Sequence, residues 1–242
     1  MLIVNQGVQG PRAVALQILL NRFGATGTPL KVDGHYGRKT ASAVAAFRRE
    51  ILKSPGPGSS TDLAFWQSML RLTQLQTIEA VDVTDPMLTE TAVPELQKQK
   101  ANPIMLGGTS NGVDQLMRLI GLEARGMGSV LLLRFHAHGG PGLVAVSHGT
   151  RKISPGIDPN HELTVLNEIT VGKLRPVLES IAPIFANFGF VEFHACKVAQ
   201  GGKGEKFLET LADIWRVPVT APLSSQSATH AVFALSGATC TF

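Results

Sequence analysis

The chain has 242 residues, 44% of them hydrophobic and 17% charged, a balance typical of soluble globular proteins that excludes a disordered or low-complexity chain. Its length suits one domain of about 130–150 residues beside a smaller one. The formal charge of +4 and the pI near 9.3 are mildly basic, which suits an anionic surface such as a cell wall without requiring one, and no nucleic-acid partner is expected.

Two cysteines, Cys196 and Cys240, make no disulfide framework. The N-terminal MLIVNQGVQGPRAV lacks a basic segment followed by a long apolar one, so no signal peptide is expected. No apolar run approaches the roughly 20 residues that span a bilayer.

Residues 5–72 read as three short helices. The first follows Gly10-Pro11, with Pro favourable in a first turn. Val14, Leu16, Ile18, Leu19, Leu20 and Phe23 give it an apolar face, and Gly24 can stop it. Val32-Asp33-Gly34-His35-Tyr36-Gly37 is a turn by its chemistry. A second helix begins near Lys39-Thr40 and carries Ala41, Val44, Ala45, Phe47 and Ile51 at helical spacing. The run Ser54–Ser60 breaks it. Ser60 or Thr61 can then cap a third helix with Leu63, Phe65, Trp66, Met69 and Leu70.

Leu16-Gln17, Asp33-Gly34-His35-Tyr36-Gly37-Arg38-Lys39-Thr40 and Ala43-Val44-Ala45-Ala46-Phe47-Arg48 together resemble the three-helix peptidoglycan-binding domain. That family has a DG-x-aromatic-G-x-x-T loop followed by AV and an aromatic. Arg48 departs from it, standing where Gln is usual. The resemblance implies a wall-fragment site near the glycine loop, with Asp33, His35, Tyr36 and Arg48 as ligand candidates. The alternative is that Tyr36 and Phe47 are core. The expected partner is peptidoglycan or a wall-associated peptide or protein.

Residues 1–74 are therefore the helical domain. Residues 75–101 lack an apolar period and read as a partly extended linker, with a short helix at 93–100. Residues 102–242 alternate strand and helix, the pattern of an α/β fold around a mostly parallel sheet. Ile104–Leu106 reads as a short strand, and Ser110 can cap a helix bearing Val113, Leu116, Met117, Leu119 and Ile120. Val130–His136 reads as a buried strand that Gly139-Gly140-Pro141-Gly142 breaks, and Leu143–Val146 as its return. A long helical region is expected over 164–187, kinked or divided at Pro176 and Pro183. Phe190–Ala195 is the next strand, Gly204–Trp215 a helix and Pro218–Ala221 a strand. Val232–Phe242 should supply one or two edge strands.

Reactive residues of open α/β sheets gather at the carboxyl ends of strands. Two such ends read Phe135-His136-Ala137-His138-Gly139-Gly140 and Phe193-His194-Ala195-Cys196-Lys197-Val198. If these strands are neighbours, Cys196 is a nucleophile with His138 as its base. The backbone N–H groups of Gly139 and Cys196 would face the substrate oxygen. His136 and His194 are candidate supporting residues or satisfied core histidines. Gln226, with Ser224, Ser225 and Ser227, is a candidate for lining the cleft, and Cys240 reads as structural.

The paired ends, with Cys196–Gly204, Phe207-Leu208, Leu211-Ala212 and Val217–Ala221, resemble the caspase-like cysteine peptidases and their bacterial relatives. The resemblance covers residues 102–242 and implies a caspase-like α/β sandwich. No specificity-pocket acid is recognisable, so cleavage after a basic residue is not implied.

The expected function is a cell-wall-targeted cysteine hydrolase, a peptidase or amidase that needs no cofactor and no metal. One alternative is a non-catalytic wall-binding or assembly protein with a degenerate caspase-like domain. Another is a zinc enzyme using His136, His138, His194 and Cys196. An L,D-transpeptidase-type wall enzyme is a further alternative, although that family keeps its His and Cys close together in a β-rich domain and here they are 58 positions apart; NlpC-type wall peptidases place Cys before His, the reverse of this order. Without a signal peptide, action in the periplasm or wall requires non-standard export, as for a phage protein or a secreted toxin, and otherwise the protein is cytoplasmic.

Overall fold

A computed structural model of the chain describes residues 3–24, 26–107, 112–147, 164–226, 235 and 237–242. The chain divides into two compact units, residues 1–76 and 77–242.

The first unit contains the three expected helices, α1 (Pro11–Arg22), α2 (Arg38–Glu50) and α3 (Leu63–Thr73). Two short strands, β1 (Val4–Asn5) and β2 (Ser60–Thr61), pair antiparallel and tie the N-terminal segment to the start of α3. Phe47 anchors the core, edge-on to Phe23 at 5.0 Å and to Phe65 at 5.3 Å, a favoured aromatic geometry. Buried Gln17 organises the glycine loop. Its carbonyl accepts the N–H groups of Asp33 (3.1 Å) and Gly34 (2.9 Å), and its amide donates to the Asp33 carboxylate (2.8 Å) and the His35 carbonyl (3.0 Å). Gly34 has φ +69°, and a Cβ there would lie 3.1 Å from a Val14 methyl, so the loop needs glycine.

The second unit begins earlier than the sequence suggests. Residues 75–101, expected as a linker, instead form β3 (Gln76–Asp82) and α4 (Pro86–Lys98). Val81 packs with Leu88, Ala92, Val93 and Leu96, so α4 is seated on the sheet by an apolar stripe. The helix starts at Pro86, where Asp85 caps it by accepting the Met87 N–H at 2.9 Å.

There follow β4 (Ile104–Leu106), α5 (Val113–Glu123), β5 (Val130–His136), β6 (Gly139–Gly140) and β7 (Leu143–Ala145). Ser110 lies outside the described residues. The residue before α5 is Gly112, whose N–H donates to Ser147 Oγ at 2.9 Å. The long helical region expected over 164–187 is instead three elements. These are β8 (Val165–Asn167), α6 (Glu168–Glu179) and a 3-10 turn (Ala182–Ile184) that opens onto β9 (Phe185–His194). Asn167 causes the switch from strand to helix: its side chain accepts the N–H groups of Ile169 and Thr170, and the Thr170 hydroxyl accepts the Asn167 N–H. Pro176 sits inside α6 without dividing it. The chain closes with α7 (Gly201–Trp215), β10 (Val219–Pro222) and β11 (Thr239–Thr241). The expected edge strand thus forms over 239–241; Val232 lies outside the described residues.

The main sheet has the order β11-β10-β9-β5-β3-β4. The pairs β3–β4, β5–β9 and β9–β10 are parallel, and β11 is an antiparallel edge, so the sheet is mixed. A small antiparallel meander, β6-β7-β8, stands beside it.

Alternation along the strands sorts side chains to two faces. Leu133, Phe135, Val191 and Phe193 join the core formed with α5, α6 and α7, where Trp215 donates its indole N–H to the Leu178 carbonyl at 3.0 Å. Arg134 and His136 of β5 alternate with that set, as do Glu192 and His194 of β9. With Glu79 of β3 they form a buried polar network. Arg134 donates to Glu79 (2.8 Å) and Glu192 (3.1 Å), while the Nε2 atoms of His136 and His194 meet Glu79 (2.9 Å) and Glu192 (3.2 Å). Burial, the largest single influence, would raise Glu79, but the lowering influences together, led by Arg134 and including the His136 hydrogen bond, outweigh it and hold the carboxyl well below the usual range. Burial pushes His136 down, and it pushes His194 down to about 3, more than their carboxylate partners oppose. Both rings are therefore neutral N–H donors.

This network sets an acid limit on stability. In the unfolded chain each histidine takes a proton near 6.5, while folded His194 does so only near 3, so the unfolded state binds more protons between those values. Stability is then full above pH 6.5 and falls on acidification, at up to about 1.4 kcal/mol per pH unit for each histidine. Depressed Glu79 adds to the loss below its own ordinary range, with the same sign. Denaturant titrations at pH 7.5, 6, 5 and 4 should show this slope, and it should weaken in His194→Gln. A profile flat from pH 7.5 to 4 would contradict the assignment.

Candidate functional site

The candidate chemistry of the second unit lies just past the carboxyl ends of β5 and β9. The parallel register pairs Arg134 with Glu192, Phe135 with Phe193 and His136 with His194, and the Ala137 N–H donates to the His194 carbonyl at 3.4 Å. Continuing that register, Ala137 and Ala195 join the helix-side core. His138 and Cys196 follow as the next residues on adjacent chains. Gly139 locks the approach: a Cβ there would lie 2.7 Å from a Val198 methyl, 2.9 Å from Ala195 Cβ and 3.0 Å from the Cys196 carbonyl oxygen. Only glycine allows the two strand ends to pack this closely.

The hairpin after His138 aims the Gly139 backbone. Pro141-Gly142 turns the chain, with Gly142 at φ +69° and its N–H on the Val198 carbonyl at 3.0 Å. Gly139 pairs with Val144, Gly140 with Leu143, and Ala145 donates to the His138 carbonyl at 2.9 Å. This makes Gly139 a non-hydrogen-bonded position, so its N–H points away from β7. Among the described residues, the Cys196 N–H has no backbone acceptor.

Cys196 and Cys240 are both free and half-buried. Cys240 lies on β11 and packs against the main core, in keeping with a structural residue. The Cys196 thiol meets the loop after β10. The Gln226 N–H donates to its sulfur at 3.2 Å, and the thiol faces the Gln226 carbonyl at 3.7 Å. The Lys197 N–H on Ser224 and the Ala199 N–H on Pro222 hold that loop in place. Gln226, a candidate for lining the cleft, is thus in contact with Cys196; Ser227 lies outside the described residues.

Sequence reasoning missed one member of the site. The Nε2 of His138 is in direct contact with Oδ2 of Asp85, the residue capping α4. The His138 side chain is 34% exposed and that of Asp85 only 1%. The Thr84-Asp85-Pro86 sequence carried the signal, because an Asp before a Pro opens helices. Its place in a stretch read as linker hid it.

His136 and His194 turn their Nε2 atoms to Glu79 and Glu192, so they are satisfied core histidines. This is also why the four-residue zinc set does not assemble. Among the described residues, no group of three or more His, Cys, Asp or Glu side chains is placed to hold a metal ion.

The ligand candidates of the first unit divide in two. Tyr36 is fully buried and donates its hydroxyl to the Gly58 carbonyl, and burial raises its pKa to about 12. Arg48, also buried, pairs with Asp62 at 3.0 Å and lies over the Phe65 ring at 5.2 Å. Both are therefore core residues rather than ligand contacts. Arg48 braces Asp62, the cap of α3. Asp33 and His35 instead line an open pocket of about 320 Å³ with Lys31, Arg38 and Lys39. The Gln17 amide holds the Asp33 carboxyl below its ordinary range.

Gly139→Ala should destabilise the second unit by about 1–3 kcal/mol, because overpacking forces the strand ends apart. A denaturation midpoint unchanged from that of the parent would mean that these ends do not pack as described.

Residues 9–50, which hold α1, the glycine loop and α2, match the family described as "Putative peptidoglycan binding domain". The chain matches no curated protein and no solved structure. The match supports a peptidoglycan-binding domain at the N-terminus and association with the cell wall.

Proposed function

We propose that this chain is a cysteine hydrolase of caspase-like architecture, brought to peptidoglycan by its N-terminal domain and cutting a peptide or amide bond there. The observation that carries this reading is the convergence of His138, Gly139 and Cys196 at two adjoining parallel strand ends. In the reaction, His138 takes the thiol proton and the sulfur attacks the substrate carbonyl. The N–H groups of Gly139 and Cys196 receive the developing oxyanion. Collapse of the tetrahedral intermediate expels the amine, which takes the proton from His138. Water activated by His138 then hydrolyses the thioester. The pocket edged by Asp33, His35 and three cationic side chains suits a polar, anionic wall fragment. No helix among the described residues is long and apolar enough to cross a membrane.

A second reading has an observation of its own. The hydrogen bonds between the Cys196 sulfur and Gln226 suit a thiol that is held rather than deployed, as in a non-catalytic wall-binding or assembly protein.

Purified sacculi and a peptide library, incubated with the protein and read by mass spectrometry, separate the two. The hydrolase reading predicts new products that fall by at least about a hundredfold in both Cys196→Ala and His138→Ala. Products undiminished in Cys196→Ala would refute it, and intact sacculus binding with no products would favour the second reading. Asp33→Ala combined with His35→Ala should weaken sacculus binding, whereas Tyr36→Phe should lower stability by about 1–3 kcal/mol. Equal loss of binding in both would contradict the division made above.

A further inference from the structure

The geometry points to Asp85 as the positioning residue of the site, the carboxylate that fixes the ring and the tautomer of His138. The inference rests on the hydrolase reading and adds a third member to its pair.

Three observations carry it. First, Asp85 is 1% exposed and its Oδ2 is in direct contact with His138 Nε2. Neither atom makes a regular hydrogen bond among the described residues, and the polar group in direct contact with each is the other. A buried carboxylate oxygen facing a ring nitrogen is satisfied only if that nitrogen carries the proton. Second, the other carboxylate oxygen, Oδ1, is committed to the Met87 N–H at the start of α4. That bond fixes the carboxylate plane and prevents it from following the ring. Third, β3 lies next to β5 in the sheet, and β5 next to β9. Asp85, His138 and Cys196 therefore follow the ends of three neighbouring strands, with the histidine in the middle.

The chemical consequence concerns the other ring nitrogen. With the proton held on Nε2, Nδ1 presents a lone pair, which is the state required to accept the thiol proton. Once Nδ1 has been protonated, the anionic partner stabilises the imidazolium. The titratable group in contact with His138 is Asp85 on the β3–α4 loop, and Cys196 follows the end of the neighbouring strand β9. The buried His136 lies two residues back on its own strand.

The bland alternative is that Asp85 only caps α4. Asp85→Asn separates the two roles, because Asn caps as well as Asp. It also places an amide that can donate toward Nε2, which favours the wrong tautomer. Asp85→Ser keeps a cap and removes the contact.

The test is the pH profile of Cys196 alkylation by iodoacetamide, read by peptide mass spectrometry in a Cys240→Ser background. Thermal melting is measured on every variant. The parent should alkylate at pH 6 at least about tenfold faster than His138→Ala. Asp85→Asn and Asp85→Ser should lose most of that advantage while melting close to the parent. Profiles of both Asp85 variants that superimpose on the parent, with His138→Ala still slow, would overturn the positioning role and leave the Cys–His pair standing. A His138→Ala profile that superimposes on the parent would overturn the pair itself, and Asp85 with it.

Discussion

Arg134 on β5 stands opposite Glu192 on β9, and His136 stands opposite His194, in a parallel pair buried on both faces. Glu79 closes the group from β3. A slip of one residue of β5 against β9 would turn Leu133 toward the polar face and push Arg134 into the helix-side core, away from Glu192. Leaving such buried charges unpaired costs several kcal/mol. We therefore read the network as a device that sets the register of the pair, beyond any stability that it adds.

The proposed site of the second unit inherits that register. His138 and Cys196 each lie two residues past a matched histidine, so the network that aligns His136 with His194 also aligns them. Gly139 then allows contact where any Cβ would hold the chains apart. The Pro141-Gly142 turn sets the hairpin that directs the Gly139 N–H outward. After the third strand, the cap of α4 brings Asp85 against the imidazole. The site is thus made of strand ends and a helix cap, held by backbone geometry rather than by long side chains.

The features carried by local chemistry could be read from the sequence. The three N-terminal helices, the glycine loop, the buried strand Val130–His136 and the two His-x-Cys or His-x-His ends all announced themselves by spacing and turn residues. What could not be read depended on partners distant in the chain. Residues 75–101 lack an apolar period because β3 meets the polar network through Glu79 and α4 offers only a narrow stripe to Val81. The region 164–187 looked helical throughout because nothing in its composition reveals that Asn167 and Thr170 cap one another. Tyr36 and Arg48 are ligand candidates only by family resemblance, and the fold instead buries both, Tyr36 on the Gly58 carbonyl and Arg48 on Asp62. Asp85 has a recognisable helix-opening signature, and only the fold reveals that its second oxygen faces His138.

The proposed site depends on the juxtaposition of positions 138 and 196 at the ends of β5 and β9. It can be measured directly with dibromobimane, which becomes strongly fluorescent once both of its arms have alkylated thiols a few ångströms apart. His138→Cys in a Cys240→Ser background supplies the two thiols. The account predicts fluorescence in the folded protein, a mapped cross-link between positions 138 and 196, and loss of both in denaturant. Alkylation of the two thiols singly in the folded protein, with no cross-link, would contradict it.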